Sequence, residues 1–117
     1  MQKSNCVLSL SSDENGTLLR VELIGDIDHH GAVGVRSEID GAISEHRPTR
    51  TVLVLSGVEF MDSSGIGLIM GRYARMNAIG GELVLRGVSD RLMRIFRMAG
   101  LERIVKIEEE EDEDERD

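Results

Sequence analysis

The stretch TVLVLSGVEFMDSSGIGLIMGRY, residues 51–73, changes at its centre from a strand-like run of apolar residues to apolar residues at helical spacing. Its first eight residues form a continuous apolar and β-branched run, which is typical of a strand covered on both faces. A strand that leads directly into an amphipathic helix is a unit of an α/β fold. From DSSG to Ile79 the apolar residues recur at helical spacing and predict a buried helix face, made of Ile66, Ile69, Met70, Tyr73 and Met76.

The segments before this stretch predict a hairpin and a first helix. CVLSL (residues 6–10) and TLLRVELIG (residues 17–25) flank the turn-rich sequence SSDENG, a pattern typical of two antiparallel strands. The following helix is expected to begin after Asp28 as its N-cap and to stop at Pro48. Its buried face is predicted to consist of Ala32, Val35, Ile39, Ala42 and Ile43.

The segments after this stretch add two strands and one helix. ELVLRG (residues 82–87) and RIVKI (residues 103–107) predict strands, and a helix is expected from Ser89 to the Gly100 stop. The predicted buried residues of that helix are Leu92, Ile95, Phe96 and Ala99. The order β-β-α-β-α-β-α-β predicts an α/β fold. We expect a mostly parallel mixed sheet of about five strands, which begins with the hairpin and has helices packed on it.

Charge is concentrated at the C-terminus of this 117-residue chain. The last ten residues, EEEEDEDERD, hold nine acids and one arginine, which leaves 13 of the 22 acids and 13 of the 14 bases in residues 1–107. We therefore expect one domain at residues 1–107 and an acidic, disordered tail at residues 108–117. Residues 63–107 carry eight bases and three acids, which fits either attraction of an acidic partner or a solvated helix face.

The cellular setting is predicted from what the sequence contains and lacks. Cys6 is the single cysteine, so an intramolecular disulfide and a thiolate metal cluster are excluded. The N-terminus has no long apolar segment of the signal-peptide kind, and no apolar run approaches membrane-spanning length. We expect a cytoplasmic protein without membrane insertion.

The DSSG turn has two interpretations. In the first, Asp62 or Ser63 caps a helix that follows a buried strand. In the second, a serine hydroxyl is exposed at the carboxyl end of the sheet, where α/β folds place their sites. The glycines Gly65, Gly67 and Gly71 favour a close approach by another group, because each costs roughly 1 kcal/mol against alanine in a helix.

Several chemistries are poorly supported by the residues. The nucleophile pattern G-x-S-x-G is absent, so no catalytic residue is expected. The GIG sequence alone is a weak nucleotide signal, because Met70 stands where a third small residue is needed and no G-K-[ST] follows. His29 and His30 have no acid or histidine four residues on, so no metal site is expected. Three spaced arginines, Arg91, Arg94 and Arg97, with little aromatic interleaving give poor support for nucleic-acid binding.

Two segments carry a family resemblance: GDIDHH (residues 25–30) and FMDSSGIGLIMGRY (residues 60–73). Together they resemble the STAS domain of bacterial anti-sigma factor antagonists. Further similarity in IGGELV (residues 79–84) and MAGLERIVKI (residues 98–107) extends the resemblance over nearly the whole body. The pairing of DSSG with DHH favours the sporulation members of this family over the general-stress members.

The resemblance implies a regulatory switch without enzymatic activity and without a cofactor. Its partner is an anti-sigma factor that is also an ATP-dependent serine kinase, and Ser63 is the residue that this kinase phosphorylates. The unphosphorylated form binds the anti-sigma factor and releases the sporulation sigma factor, and a membrane-associated serine phosphatase resets the switch. We expect a monomer when the protein is free. The implied partner-binding residues are Asp28, His29, His30, Asp62, Ser63, Ser64, Gly65 and Gly67.

One alternative from another functional class stays open. A STAS module that senses a nucleotide or another small molecule would use the glycine-rich turn at residues 65–71. The acidic tail is not part of the family pattern, and it fits either a solubility role or a role in partner encounter.

Overall fold

A computed structural model describes residues 6–109 and confirms the predicted α/β fold. Five strands form one sheet in the order β1-β2-β3-β4-β5, in which β1 is antiparallel to β2 and all other neighbours are parallel. The strands are β1 (Cys6–Asp13), β2 (Gly16–Ile24), β3 (Arg50–Gly57), β4 (Glu82–Arg86) and β5 (Lys106–Glu108). The helices are α1 (His29–His46), α2 (Ser63–Ala78) and α3 (Asp90–Ala99). No helix within residues 6–109 is both long and apolar enough to cross a membrane.

The N-terminal hairpin has longer strands and a shorter turn than the sequence predicts. The ladder extends to the pair Asp13 and Gly16, so only two residues connect the strands. The Asp13 carboxylate accepts a hydrogen bond from the Asn15 N–H at 2.7 Å, which closes the turn. The predicted loop residues Ser11 and Ser12 are exposed on this edge strand. Polar side chains are compatible with a strand there because water solvates them.

The main core lies between one face of the sheet and the three helices. Strands β2, β3 and β4 present alternate apolar residues to this face, among them Leu19, Leu53 and Leu85. The helices cover these strands with buried side chains at Val35, Ile39 and Ile43 of α1, Leu68, Ile69 and Met76 of α2, and Leu92 and Phe96 of α3.

The predicted helix faces need small corrections. In α2 the buried side chains include Leu68 and Arg72, whereas Ile66, Met70 and Tyr73 are only half-buried. The buried face is therefore rotated from the stripe that hydrophobicity alone defines. In α1 Ala42 and in α3 Ile95 are likewise half-buried, and Ala99 is exposed in the last turn of α3.

The opposite face of the sheet carries a second, smaller cluster. Val52, Val54 and Val84 are buried there, with Leu18 packed against them. Residues Thr51 to Leu55 of β3 are thus all buried, as predicted for a strand covered on both faces. Charged side chains share this second face, because the strand register places Arg20 beside Val52, Arg86 beside Val54 and Arg50 beside Glu82.

The C-terminal strand begins later than the sequence predicts. A single 3-10 turn, Leu101–Arg103, follows α3, and Val105 packs into the core before β5 begins at Lys106. The Glu108 carboxylate accepts hydrogen bonds from Arg50 Nη2 at 2.7 Å and Arg86 Nε at 3.0 Å. Glu108, one residue beyond the predicted end of the domain, is thus an integral residue of the sheet. Of the tail predicted to be disordered, residues 108–117, all but the first two residues lie outside the described residues.

Ion pairing lowers the pKa of Glu108 below its ordinary value. Burial by itself would raise that pKa, but the hydrogen bond from Arg86 and the positive charge of Arg50 outweigh the burial. Since the folded-state pKa is below the unfolded-state pKa, the stabilisation is complete above the unfolded value of about 4.3. It is lost as the pH falls through the folded-state value.

We expect Glu108→Gln to lower the free energy of unfolding by about 1 to 2 kcal/mol at pH 7, because charge-assisted hydrogen bonds to two arginines are weakened. The deficit should disappear at pH values well below about 4, where the wild-type carboxyl is also uncharged. Urea denaturation followed by circular dichroism at both pH values measures this. The control is Glu109→Gln, the same charge change at the adjacent exposed residue. Equal effects of the two substitutions would contradict the assignment of Glu108 to the folded sheet.

Candidate functional site

Two loops lie side by side at the carboxyl edge of the sheet. The loop after β2 and the loop after β3 are joined by a parallel bridge between Ile27 and Met61. The Asp26 carboxylate also accepts hydrogen bonds from the N–H groups of Glu59 and Phe60, at 3.4 and 3.3 Å. These contacts bring the GDIDHH and DSSG segments together although more than 30 residues separate them along the chain.

Two of the predicted site residues, Asp28 and Asp62, are the N-caps of α1 and α2. Asp28 Oδ1 accepts from the Gly31 N–H at 2.8 Å. Asp62 Oδ1 accepts from the Ser64 N–H at 2.8 Å and from the Gly65 N–H at 3.4 Å. Of the two capping candidates in DSSG, Asp62 is therefore the cap, and the Ser63 hydroxyl is not needed for it.

The two adjacent serines have different environments. Ser63 is the first residue of α2 and its side chain is exposed. Ser64 is half-buried and turned toward α1, with its Oγ 3.5 Å from His29 Nδ1. His30 is exposed at the second position of α1. The structure thus brings Ser64 and His29 together and leaves the Ser63 hydroxyl facing solvent.

The glycines of α2 fall into two groups. Gly65 is buried, and a Cβ atom added there would lie 2.8 Å from Cγ and 2.9 Å from Sδ of the buried Met61. The absence of a side chain at Gly65 therefore has an internal packing cause. A Cβ atom added at Gly67 or Gly71 would have no described atom within 4 Å, apart from its chain neighbours and the backbone of its own helix turn. These two positions leave open space beside α2.

That open space is a groove of about 300 Å³ between the first turns of α1 and α2, which we call the α1–α2 groove. One end lies at His29 and Ser64, next to the DSSG turn. Apolar and small residues, including Val33, Leu68, Gly67 and Gly71, form part of the lining. Two arginines, Arg36 and Arg72, complete it and make this surface cationic.

Arg72 is a buried cation on α2, with 6% of its surface exposed. Its Nε atom lies 2.9 Å from Asp40 Oδ1, and Arg75 Nε lies 3.2 Å from the same oxygen. These are ion pairs without hydrogen-bond geometry, because Asp40 Oδ1 and Arg72 Nε form no hydrogen bond within the described part of the chain. Burial lowers the pKa of Arg72, Asp40 raises it, and the charges of Arg36 and Arg75 lower it further.

Sequence reasoning did not single out Arg36 or Arg72. An arginine at an otherwise apolar helix position is a weak signal, since long cationic side chains often extend along a helix to reach water. The informative feature is the pairing with Asp40, and that pairing joins two helices whose packing the sequence does not show.

The comparison with known proteins identifies the family. Residues 9–114 match the STAS domain. The chain is 38% identical over 104 residues to the anti-sigma F factor antagonist of Paenibacillus polymyxa, covering 89% of each protein. The chain belongs to the STAS-domain family of anti-sigma factor antagonists.

Two further comparisons show which other anti-sigma factor antagonists this STAS domain resembles. It is 29% identical to the anti-sigma-B factor antagonist of Bacillus subtilis (strain 168), over 86% of this chain and 90% of that protein. Its fold matches the structure of the anti-sigma factor antagonist SpoIIAA in its unphosphorylated form with a TM-score of 0.74 and 27% identity. That alignment covers 95% of this chain and 94% of SpoIIAA. These relatives are regulatory proteins named for antagonism of anti-sigma factors.

The glycine environments predict opposite effects of one substitution at two positions of α2. We expect Gly65→Ala to lower the free energy of unfolding by about 1 to 3 kcal/mol, because the new methyl group overpacks against Met61. We expect Gly67→Ala to raise it by up to about 1 kcal/mol, because its methyl group meets open space and alanine favours the helix. Urea denaturation of both variants measures the difference. Equal effects would show that Met61 does not restrict Gly65.

Proposed function

We propose that this STAS domain is an anti-sigma factor antagonist controlled by phosphorylation of Ser63. The observation that supports the proposal is the exposed Ser63 hydroxyl on a rigid turn. The side chain lies at the first position of α2, and the neighbouring Asp62 already supplies the cap. A kinase can therefore reach Ser63 without unfolding the helix. The SpoIIAA structure that this fold matches is that of the unphosphorylated form, which implies that SpoIIAA also has a phosphorylated form.

In the proposed reaction, the partner anti-sigma factor is a serine kinase and Ser63 is its substrate. The Ser63 Oγ attacks the γ-phosphorus of ATP, the bond from that phosphorus to the ADP oxygen breaks, and the hydroxyl proton passes to a base. Among residues 6–109 no hydrogen bond in the structure links Ser63 to a base, so the kinase would supply one. The antagonist then has no catalytic residue of its own. Because the reaction consumes ATP, the proposed switch operates in the cytoplasm.

The unphosphorylated surface around Ser63 is suited to binding a protein. Phe60 and Ile24, on the same edge of the sheet, are 49% and 50% exposed. Exposed apolar side chains beside polar groups are typical of protein interaction surfaces. We propose that the partner covers these residues together with Asp28, His29, His30, Asp62, Ser63, Ser64 and Gly67. Gly65, which the sequence also predicted as a partner-binding residue, is instead buried against Met61.

Phosphorylation would act on the interface and not on the fold. A phosphoserine carries about −1.5 to −2 charges near pH 7. At the N-terminus of α2 the helix dipole favours such a charge by roughly 0.3 to 1 kcal/mol. In a complex, an unpaired buried charge costs on the order of 2 to 5 kcal/mol, which lowers affinity by tens to thousands of times. A serine phosphatase would restore binding by removing the phosphate.

The sigma factor controlled is also a proposal. The relative at 38% identity antagonises an anti-sigma F factor, whereas the Bacillus subtilis relative at 29% antagonises an anti-sigma-B factor. The DHH sequence lies at the start of α1 beside the serine turn, where a partner would meet it. We therefore favour the sporulation branch, in which binding of the anti-sigma factor releases the sporulation sigma factor.

The test is phosphorylation by the cognate anti-sigma factor with ATP, with the phosphate located by peptide mass spectrometry. We expect phosphate at Ser63 in the wild type and in Ser64→Ala, and none in Ser63→Ala. Ser64→Ala is the matched control, because it removes an adjacent hydroxyl of the same helix turn. By calorimetry, Ser63→Asp should weaken binding at least about tenfold, while Ser63→Ala should still bind.

Phosphate on Ser64, or undiminished binding by Ser63→Asp, would contradict this assignment. Saturable binding of a nucleotide to the isolated protein, together with no binding of the anti-sigma factor, would favour the sensor module that uses residues 65–71.

A further inference from the structure

We infer that the α1–α2 groove is an acceptor site for an acidic side chain of the partner protein. The inference rests on the proposed function, because the partner is the anti-sigma factor that binds the serine turn. It adds a second contact region to that interface, with Arg36 and Arg72 as the groups that recognise an aspartate or glutamate.

The first observation is an unsatisfied buried cation. Arg72 is more than nine-tenths buried and lines the groove, and its Nη1 atom has no hydrogen-bond partner within residues 6–109. Since the Nη1 atom is itself buried, a carboxylate in the groove would pair with it after a change in the Arg72 side-chain conformation. A guanidinium has five N–H donors and cannot lose its charge under ordinary conditions. Buried donors are almost always paired in native proteins, so an unpaired one points to a missing acceptor.

The second observation is an excess of positive charge around that cation. Arg36 and Arg75 both act electrostatically on Arg72, and within residues 6–109 the carboxylate that opposes them is that of Asp40. Asp40 is shared, since Arg72 and Arg75 approach the same oxygen. Two arginines therefore share one acid, and a third, Arg36, adds positive charge near Arg72. A second carboxylate in the groove would balance the local charge and supply an acceptor for a guanidinium.

The third observation is the shape of the groove. Gly67 and Gly71 leave part of its α2 side without side chains, and Val33 of α1, 49% exposed, adds an apolar contact on the other side. An acidic side chain has a short apolar stem and a flat carboxylate, which suits an apolar entrance and a planar guanidinium. The volume of about 300 Å³ accommodates such a side chain.

The fourth observation is continuity with the serine turn. His29 and Ser64 line the groove and also lie within the DHH and DSSG segments. A partner that covers Ser63 therefore reaches the groove without any rearrangement of the helices. An acid docked there would hold the partner at a fixed position relative to the Ser63 hydroxyl.

The experiment measures the affinity of the cognate anti-sigma factor for the full chain by calorimetry, at low and high salt. We expect Arg36→Gln to weaken binding about tenfold, since one charge-assisted contact is lost. Arg75→Gln is the matched control: it removes the same charge beside Asp40, but Arg75 does not line the groove. The control should weaken binding less than threefold at high salt, where long-range attraction is screened.

A steric variant tests the groove without changing any charge. Gly71→Leu fills the open side away from the serine turn, and we expect it to weaken binding about as much as Arg36→Gln. Arg72→Gln is informative only after circular dichroism shows that it is folded, so Arg36→Gln and Gly71→Leu remain the deciding variants. Each acidic residue of the partner is then replaced, and one replacement should lose its effect when combined with Arg36→Gln.

The outcomes separate the two proposals. If the wild type does not bind the anti-sigma factor, the proposed function fails. If the wild type binds and both Arg36→Gln and Gly71→Leu bind equally well, the groove inference is overturned and the proposed function stands. If Arg36→Gln abolishes binding of inorganic phosphate or ATP to the isolated protein but leaves the partner's affinity unchanged, the groove is a phosphate site and the inference is also overturned.

Discussion

The candidate site depends on the parallel pairing of β2 and β3, which continues beyond the ends of both strands. The register gains one residue on the β3 side near Gly57, and the two loops then meet again at the bridge between Ile27 and Met61. Because α1 follows the first loop and α2 follows the second, their N-termini must start as neighbours. Asp26 stabilises this arrangement by accepting hydrogen bonds from two backbone N–H groups of the second loop.

The two capping acids stabilise the helix starts that form the surface of the candidate site. Asp28 and Asp62 each satisfy N–H groups that a helix N-terminus otherwise leaves unpaired. The hydroxyl of Ser63, which follows Asp62, is therefore not needed for the cap. Esterification of its hydroxyl removes no hydrogen bond of the cap, so a phosphate on Ser63 would change the charge of the surface while the helix start is retained. This separation of cap and hydroxyl would make the proposed reversible switch compatible with a stable turn.

Much of the fold follows from local sequence signals, because caps and stops act over a few residues. Asp28 and Ser89 were identifiable as helix starts and Gly100 as a helix end, and all three have these roles. The start of β5 was not identifiable from the sequence, because Val105 fits the apolar pattern of a strand but packs beside a 3-10 turn. The last strand pairs with β4, and its Glu108 contacts arginines of β3 and β4; no local pattern contains these partners.

The sequence predicted that the DSSG turn lies at the carboxyl edge of the sheet, where the structure places it, but not the internal geometry of the candidate site. The spacing of the DSSG and DHH segments does not distinguish an exposed Ser63 from a Ser64 that faces His29. That distinction comes from the packing of α2 against α1 and from Met61 beneath Gly65.

The same helix packing creates both parts of the surface. Close approach of α2 to Met61 orients the serine turn, while the small residues farther along α2 leave a groove beside α1. The ion pairs of Asp40 with Arg72 and Arg75 link the two helices at the end of that groove. Consequently the exposed hydroxyl and the cationic groove have fixed relative positions. A partner that recognises both could discriminate this surface by geometry as well as by charge, because an acid docked in the groove would also determine which hydroxyl reaches the catalytic centre of the proposed kinase.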